Sequence, residues 1–462
     1  MTSARDRVRL PRLRRRSLSL VAAIASLTTA SVLYANRSMG TDVYWLLAAG
    51  RDVARSGISS HDPFATLATT AWQNQQWLPE LVLYGLHLAA GPAGVSLGYA
   101  LLLGAALVPL ALVTRGRSPW LVLGAWALTV PALIALLDPR AGGFGLLACA
   151  LLVALLVQRD HRSAWLMPVV MVFWANVHGS FLIGIGLIAL ALITDVLDRR
   201  GDRGRLPAIL GTSLAACAVT PLGLMLLTYL RLFEANTMMP KLTFEWQPTW
   251  QHPALVVAVI AFAAFAIAIW RSQTGPRSSG PLVFGLATAL VALTATRQLT
   301  WLGPVAFLLV AQYGRPSTAR LPRHAIRLAV AGGCLAVIAW PLLMPVPHAD
   351  AGGLVDVSRY AVSHPPTCGR ILNPAGSGSY MLWRSPGTAI AFDGRLERFR
   401  PADLQAGYAV LDGSRRDLSI LDRWHVGAVI TAHGRAVAPL ERAGFHVAYR
   451  SASGWYLVRP TC

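Results

Sequence analysis

Charged side chains are scarce: Asp, Glu, Lys and Arg make up 13% of the 462 residues, about half of the ~25% usual in a soluble domain. Lysine is nearly missing, since 40 of the 41 basic residues are arginine. The formal charge of +20 nevertheless excludes little by itself, because the arginines lie in short clusters between apolar runs and not along one face. That placement is explained by membrane topology, and no nucleic-acid partner is expected. Cysteine is also rare, with five in the chain and no Cys/His spacing of the zinc type. No P-loop, Gly-rich dinucleotide fingerprint or Ser-His-Asp ordering rises above chance, so nucleotide-driven chemistry has no support.

What is abundant is apolar sequence, at 55%. Eleven runs near membrane length fall between residues 18 and 344, and they predict a polytopic membrane protein, mainly α, of about 11 transmembrane helices. A basic stretch, residues 1–16, precedes the first run, Leu18 to Tyr34, which is long for a cleavable signal and reads as an uncleaved span with a cytoplasmic N-terminus. A twelfth candidate, Trp77 to Ala90, is only about 14 residues long and contains Pro79, Glu80 and His87. Laying it in the outer interface puts the basic loops at 115–117, 159–162, 199–205, 271–277 and 315–327 on the same side as the N-terminus, as the positive-inside rule demands.

Three regions follow: the cytoplasmic N-terminus 1–16, a transmembrane domain 17–344 with a first outer loop at 37–94, and an extracytoplasmic α/β domain at 345–462. In that last domain Arg370 to Asn373, Ser379 to Trp383, Ala389 to Phe392 and Ala428 to Thr431 read as strands, with a terminal hairpin around Ser453-Gly454. Its only cysteines, Cys368 and Cys462, are expected to form a disulfide in an oxidising compartment.

The same parity gathers the conspicuous polar residues of the membrane half at the outer face. Asp42, Asp62 and Glu80 lie in the first outer loop among Trp45, Trp72 and Trp77. A carboxylate just outside the hydrocarbon suits proton transfer on a substrate at the bilayer surface, whereas a lone Asp at such a place also caps helices. Arg140, in Asp138-Pro139-Arg140, offers a guanidinium fork to a lipid phosphate or closes a self-satisfied loop. Asn176 and His178 interrupt two short apolar runs beside Gly179, Glu245 sits in a long outer loop, and Arg297 ends an apolar run on the side where positive charge is disfavoured. Asp393 and Arg395 flank a turn at Gly394 in the outer domain.

Taken in order, Thr41-Asp42-Val43-Tyr44-Trp45, His61-Asp62-Pro63-Phe64, Gln76-Trp77-Leu78-Pro79-Glu80, Asp138-Pro139-Arg140, Trp174 to Ser180, Glu245-Trp246-Gln247-Pro248, Arg297 with Trp301 and Pro304, and Phe392-Asp393-Gly394-Arg395-Leu396-Glu397 span nearly the whole chain. The sequence so read resembles the C-type glycosyltransferase superfamily, in a bacterial branch with a small extracytoplasmic tail. The resemblance implies an inverting transfer of sugar from a polyprenyl-phosphate donor to a glycan or lipid acceptor of the cell envelope, at the outer face of the bacterial inner membrane. Asp42 would be the catalytic acid residue, with Asp62 and Glu80 as further candidates. Arg140, Asn176, His178, Glu245 and Arg297 would bind substrate. No cofactor is fixed, and a divalent metal is one option. The rival function is a lipid or polysaccharide transporter or assembly factor of the envelope, without covalent chemistry.

Overall fold

The computed structural model describes residues 40–317 and 354–461, apart from 60, 70–73, 137, 160, 200–204, 227, 229, 230 and 232–235. The stretch expected as the first outer loop begins with a helix, α1 Thr41–Ser56, and the described apolar runs lie in α2 Trp77–Val113, α3 Pro119–Ala135, α4 Ala141–Val157, α5 Met167–Val177, α6 Phe181–Leu197, α7 Arg205–Cys217, α8 Pro253–Ser272, α9 Gly280–Thr294 and α10 Leu302–Tyr313. Two of them, α2 and α8, are long and apolar enough to cross a membrane, and several others are shorter apolar helices. The expected spans at 18–35 and 326–344 lie outside the described residues.

Helix α1 is amphipathic. Val43, Leu46, Leu47 and Gly50 repeat at helical spacing and are buried against α2. Gly50 is where the helices touch, since a Cβ there would strike the Glu80 carbonyl and come within 2.8 Å of the Tyr84 Cβ. Helix α2 is broken at Ala90 (φ −150°) and Gly91 (φ +60°), a backbone geometry that glycine permits. Beyond the break the chain turns back so far that a Cβ on Gly98 would meet the Leu86 side chain at 2.5 Å. Residues 77–89 therefore form a short helix set apart from the apolar stretch that follows, with Glu80 in its first turn.

The C-terminal residues build a four-stranded sheet, β1 Arg370–Leu372, β2 Val426–Thr431, β3 His446–Arg450 and β4 Trp455–Val458, in the order β1-β2-β4-β3. β1 and β2 are parallel and the other pairs antiparallel. Helices α11 Val355–Ser363, α12 Ala375–Arg384 and α13 Pro401–Leu411 accompany it. Ser379 to Trp383, expected as a strand, lies within α12. Pro374 precedes this helix in extended conformation, and the five residues expected as a strand are too short a window to show the helical period of the whole segment.

The sheet does not end at β1. Residues 389–391 run along it, with Ile371 N donating to Ala389 O at 2.9 Å and Ala391 N to Ile371 O at 2.8 Å. The first outer loop then lies along that segment, Ile390 N donating to Ala65 O at 3.1 Å and Leu67 N to Ala391 O at 3.0 Å. Arg51 of α1 closes the same seam by donating to Leu382 O and Trp383 O, both at 2.9 Å, which satisfies carbonyls at the end of α12. Loop 57–69, α1 and the C-terminal sheet are thus one packed structure. Cys368 is disulfide-bonded and Cys149 and Cys217 are free. Its expected partner, Cys462, lies outside the described residues.

Candidate active site

Asp42 sits in the first turn of α1, where its charge complements the helix dipole. Gly40, just before the helix, leaves room for the Asp138 carboxylate, which a Cβ would approach to 3.2 Å. Arg140 is the residue preceding α4, and its guanidinium joins two chain segments: Nη2 lies 3.2 Å from Asp42 Oδ2 and Nη1 lies 2.7 Å from Glu245 Oε2. Glu245 comes from the short 3-10 turn Phe244–Trp246. Both carboxylates keep about a third of their side chains exposed, 34% and 36%.

Arg297 stands beside them, in the 3-10 turn Thr296–Trp301. It covers the Trp246 ring at 4.4 Å, and its Nη2 lies 3.3 Å from His178 Nε2. On the other side of the ring His178 Nδ1 lies 2.7 Å from Ser180 Oγ and accepts from Ser180 N at 3.2 Å. Ser180 Oγ accepts from Trp174 Nε1 at 3.0 Å. Arg140 has two carboxylate partners and Arg297 has none among the described residues.

Burial pushes the Asp42 carboxyl above its usual range, with Arg140 and Arg297 pulling down and Glu245 pushing up. Burial would raise Glu245 too, but Arg140 and Arg297 outweigh it and hold that carboxyl below its usual range. Two carboxylates that share one guanidinium are thereby driven in opposite directions.

The other sequence-derived candidates fall elsewhere. Asn176 is spent on structure, accepting from Trp77 Nε1 at 2.9 Å and donating to Val172 O and Val219 O at 2.8 Å. It also lines an open apolar groove of about 460 Å³ with Trp77, Leu78, Val172, Phe173 and Pro221. Glu80 is fully buried; its Oε2 accepts from Asn74 Nδ2 at 2.6 Å, while Oε1 has no hydrogen-bond partner among the described residues.

Asp62, Asp393 and Arg395 meet in a buried ionic knot. Arg395 Nη2 bonds Asp393 Oδ2 at 2.5 Å and its Nη1 bonds Asp62 Oδ1 at 3.2 Å, while Arg398 Nη2 reaches Asp62 Oδ2 at 2.8 Å. Phe64 and Trp45 cover the Arg395 guanidinium at 4.8 and 5.9 Å. Arg398 was not among the sequence-derived candidates; its place three residues after Arg395 was the available signal, hidden in a background rich in arginine. Glu397, between the two arginines, is pushed up to about 7 by burial.

By sequence, no protein-family model and no curated protein matches the chain. By structure it is similar to the archaeal oligosaccharyltransferase AglB from Archaeoglobus fulgidus, in complex with an inhibitory peptide and a dolichol-phosphate, with a TM-score of 0.59 at 11% identity over 90% of this chain and 69% of that one. It is similar also to ArnT from Cupriavidus metallidurans bound to undecaprenyl phosphate, with a TM-score of 0.55 at 11% identity over 96% of this chain and 97% of that one. The fold is that of the C-type glycosyltransferases. An Archaeoglobus fulgidus oligosaccharyltransferase in the apo form aligns as well, with a TM-score of 0.52 at 11% identity over 96% of this chain and 74% of that one. The three alignments extend over 90 to 96% of this chain.

Proposed function

We propose that this protein transfers a sugar from a polyprenyl-phosphate donor to a hydroxyl of a cell-envelope acceptor, at the outer face of the bacterial inner membrane, with inversion at the anomeric carbon. The observation that carries the proposal is the convergence of Asp42, Arg140, Glu245, His178 and Arg297 from five separate parts of the chain. The two neighbours that hold dolichol-phosphate and undecaprenyl phosphate support a lipid-linked donor.

In this mechanism Asp42 takes the proton of the acceptor hydroxyl as its oxygen bonds to the anomeric carbon. The bond from that carbon to the phosphate oxygen breaks on the opposite side, and the electron pair leaves with the phosphate. Negative charge grows on the phosphate, where Arg297 supplies donors not used by a carboxylate. His178 acts through Arg297, since the imidazole 3.3 Å from its Nη2 and the Trp246 face hold that guanidinium in place. Arg140 holds Asp42 and Glu245 apart and in register. The groove beside Trp77 and Phe173 offers an apolar bed for an isoprenoid tail.

Native mass spectrometry of the full chain with a polyprenyl-phosphate sugar tests donor binding. The wild type should retain the lipid and Arg297→Ala should lose most of it. Equal retention by both would remove Arg297 from the phosphate site, and transport of intact donor without product would favour the transporter function.

A further inference from the structure

Two carboxylates facing a phosphate-handling site are the usual setting for a divalent cation, which would bridge them and meet the phosphate charge. Here that bridging position is taken. Arg140 sets one outer nitrogen against Asp42 and the other against Glu245, at 3.2 and 2.7 Å, so a single side chain spans both acids. Charge points the same way: Arg140 and Arg297 together already balance Asp42 and Glu245. A divalent ion between the acids would lie against two guanidinium groups, with neither able to ligate it, because arginine has no lone pair to give. Among the described residues no group of three or more His, Cys, Asp or Glu is placed to hold a metal ion. The residues present therefore do not fit a bound divalent metal.

We propose that Arg140 is a built-in cation that takes the place of a divalent metal between Asp42 and Glu245, so that this site works with guanidinium groups alone. The inference rests on the glycosyl-transfer function for its consequence but not for its test. Arginine suits the position because its charge persists at every accessible pH and its flat fork reaches two acids at once. A lysine carries the same charge but no flat fork, so it would fix the two acids less rigidly. Removing the guanidinium should leave two neighbouring carboxylates with unmatched charge, which is the setting that recruits a hard cation.

The test is Mn²⁺ binding followed by electron paramagnetic resonance on the full chain in nanodiscs, with no substrate added. The wild type should take up no Mn²⁺ that depends on Asp42 or Glu245. Arg140→Ala should gain a Mn²⁺ site, and Arg140→Ala combined with Asp42→Asn should lose it again. Wild-type Mn²⁺ binding that Asp42→Asn or Glu245→Gln abolishes would overturn the proposal, and that comparison stands even where Arg140→Ala fails to fold. Turnover gives a second arm. EDTA should change wild-type activity by less than about twofold, whereas loss of a charge-stabilising group at a reacting centre costs on the order of 10²-fold. A wild type that binds no Mn²⁺ and turns over no donor would refute glycosyl transfer while leaving the role of Arg140 intact.

Discussion

Replacing Asp62 by asparagine should loosen the seam between the first outer loop and the C-terminal sheet. Asp62 does two jobs: Oδ1 accepts from Phe64 N at 3.1 Å, fixing the local turn, and the carboxylate pairs with Arg395 and Arg398. Asparagine keeps the turn, because its side-chain oxygen accepts the same bond, but it carries no charge for the two arginines. Arg395 and Arg398 keep only 2% and 5% of their side chains exposed and Asp62 keeps 16%. Removing one partner from a buried ion pair costs roughly 3 to 5 kcal/mol, and the residual exposure of Asp62 puts the expectation at the low end. Amide hydrogen exchange reads this locally at Leu67, Thr69 and Ile390, whose N–H groups cross the seam to Ala391 O, Arg398 O and Ala65 O. A loss of about 3 kcal/mol is a rise on the order of 10²-fold in their exchange rates, since each 1.4 kcal/mol is tenfold. A change below about 1 kcal/mol, the value of an exposed pair, would refute the picture of a buried knot.

Three further outcomes follow from the packing, charge and topology. Glu397 is pushed up to about 7 by burial, from 4.5; the folded state then binds more protons than the unfolded one between those values. Stability of the C-terminal sheet should therefore be highest at the acid end of that window, fall as pH rises through about 7, and lose this dependence in Glu397→Gln, as thermal midpoints against pH would show. Gly50→Ala forces a Cβ onto the Glu80 carbonyl and Tyr84, and overpacking of about 1 to 3 kcal/mol should lower the thermal midpoint, where an unchanged midpoint would contradict the α1–α2 contact. A cysteine at exposed position 417 should react with a membrane-impermeant thiol reagent on intact spheroplasts, and protection there would place the tail in the cytoplasm.

Much of the site was visible in the sequence because the bilayer makes polar residues costly where they interrupt apolar runs. Asp42, Arg140, His178, Glu245 and Arg297 were each conspicuous for that reason. Their pairing was not visible, since Arg140 and Glu245 are 105 residues apart and such contacts leave no period in the sequence. The same holds for Asp62 and Arg395, separated by 333 residues. Asp62 was grouped with the catalytic acids because it shares a loop with Asp42, whereas its charge is spent on the C-terminal arginines. The helix at 375–384 was misread because the segment taken as a strand, 379–383, is only half of it, too short to show a helical period.

Turnover of a polyprenyl-phosphate sugar by Asp42→Asn, measured beside its binding, bears most directly on the chemistry. Asparagine preserves the size of the side chain, and Arg140 keeps Glu245 as a partner, but the amide cannot take the proton of the acceptor. Donor retention and thermal midpoint should stay near wild type while the rate falls by about 10² to 10⁴, the contribution of a general base. Glu80→Gln and Asp62→Asn, measured alongside, should leave the chemical step running. Near-normal turnover in Asp42→Asn, with the donor bound as in the wild type, would contradict Asp42 as the base.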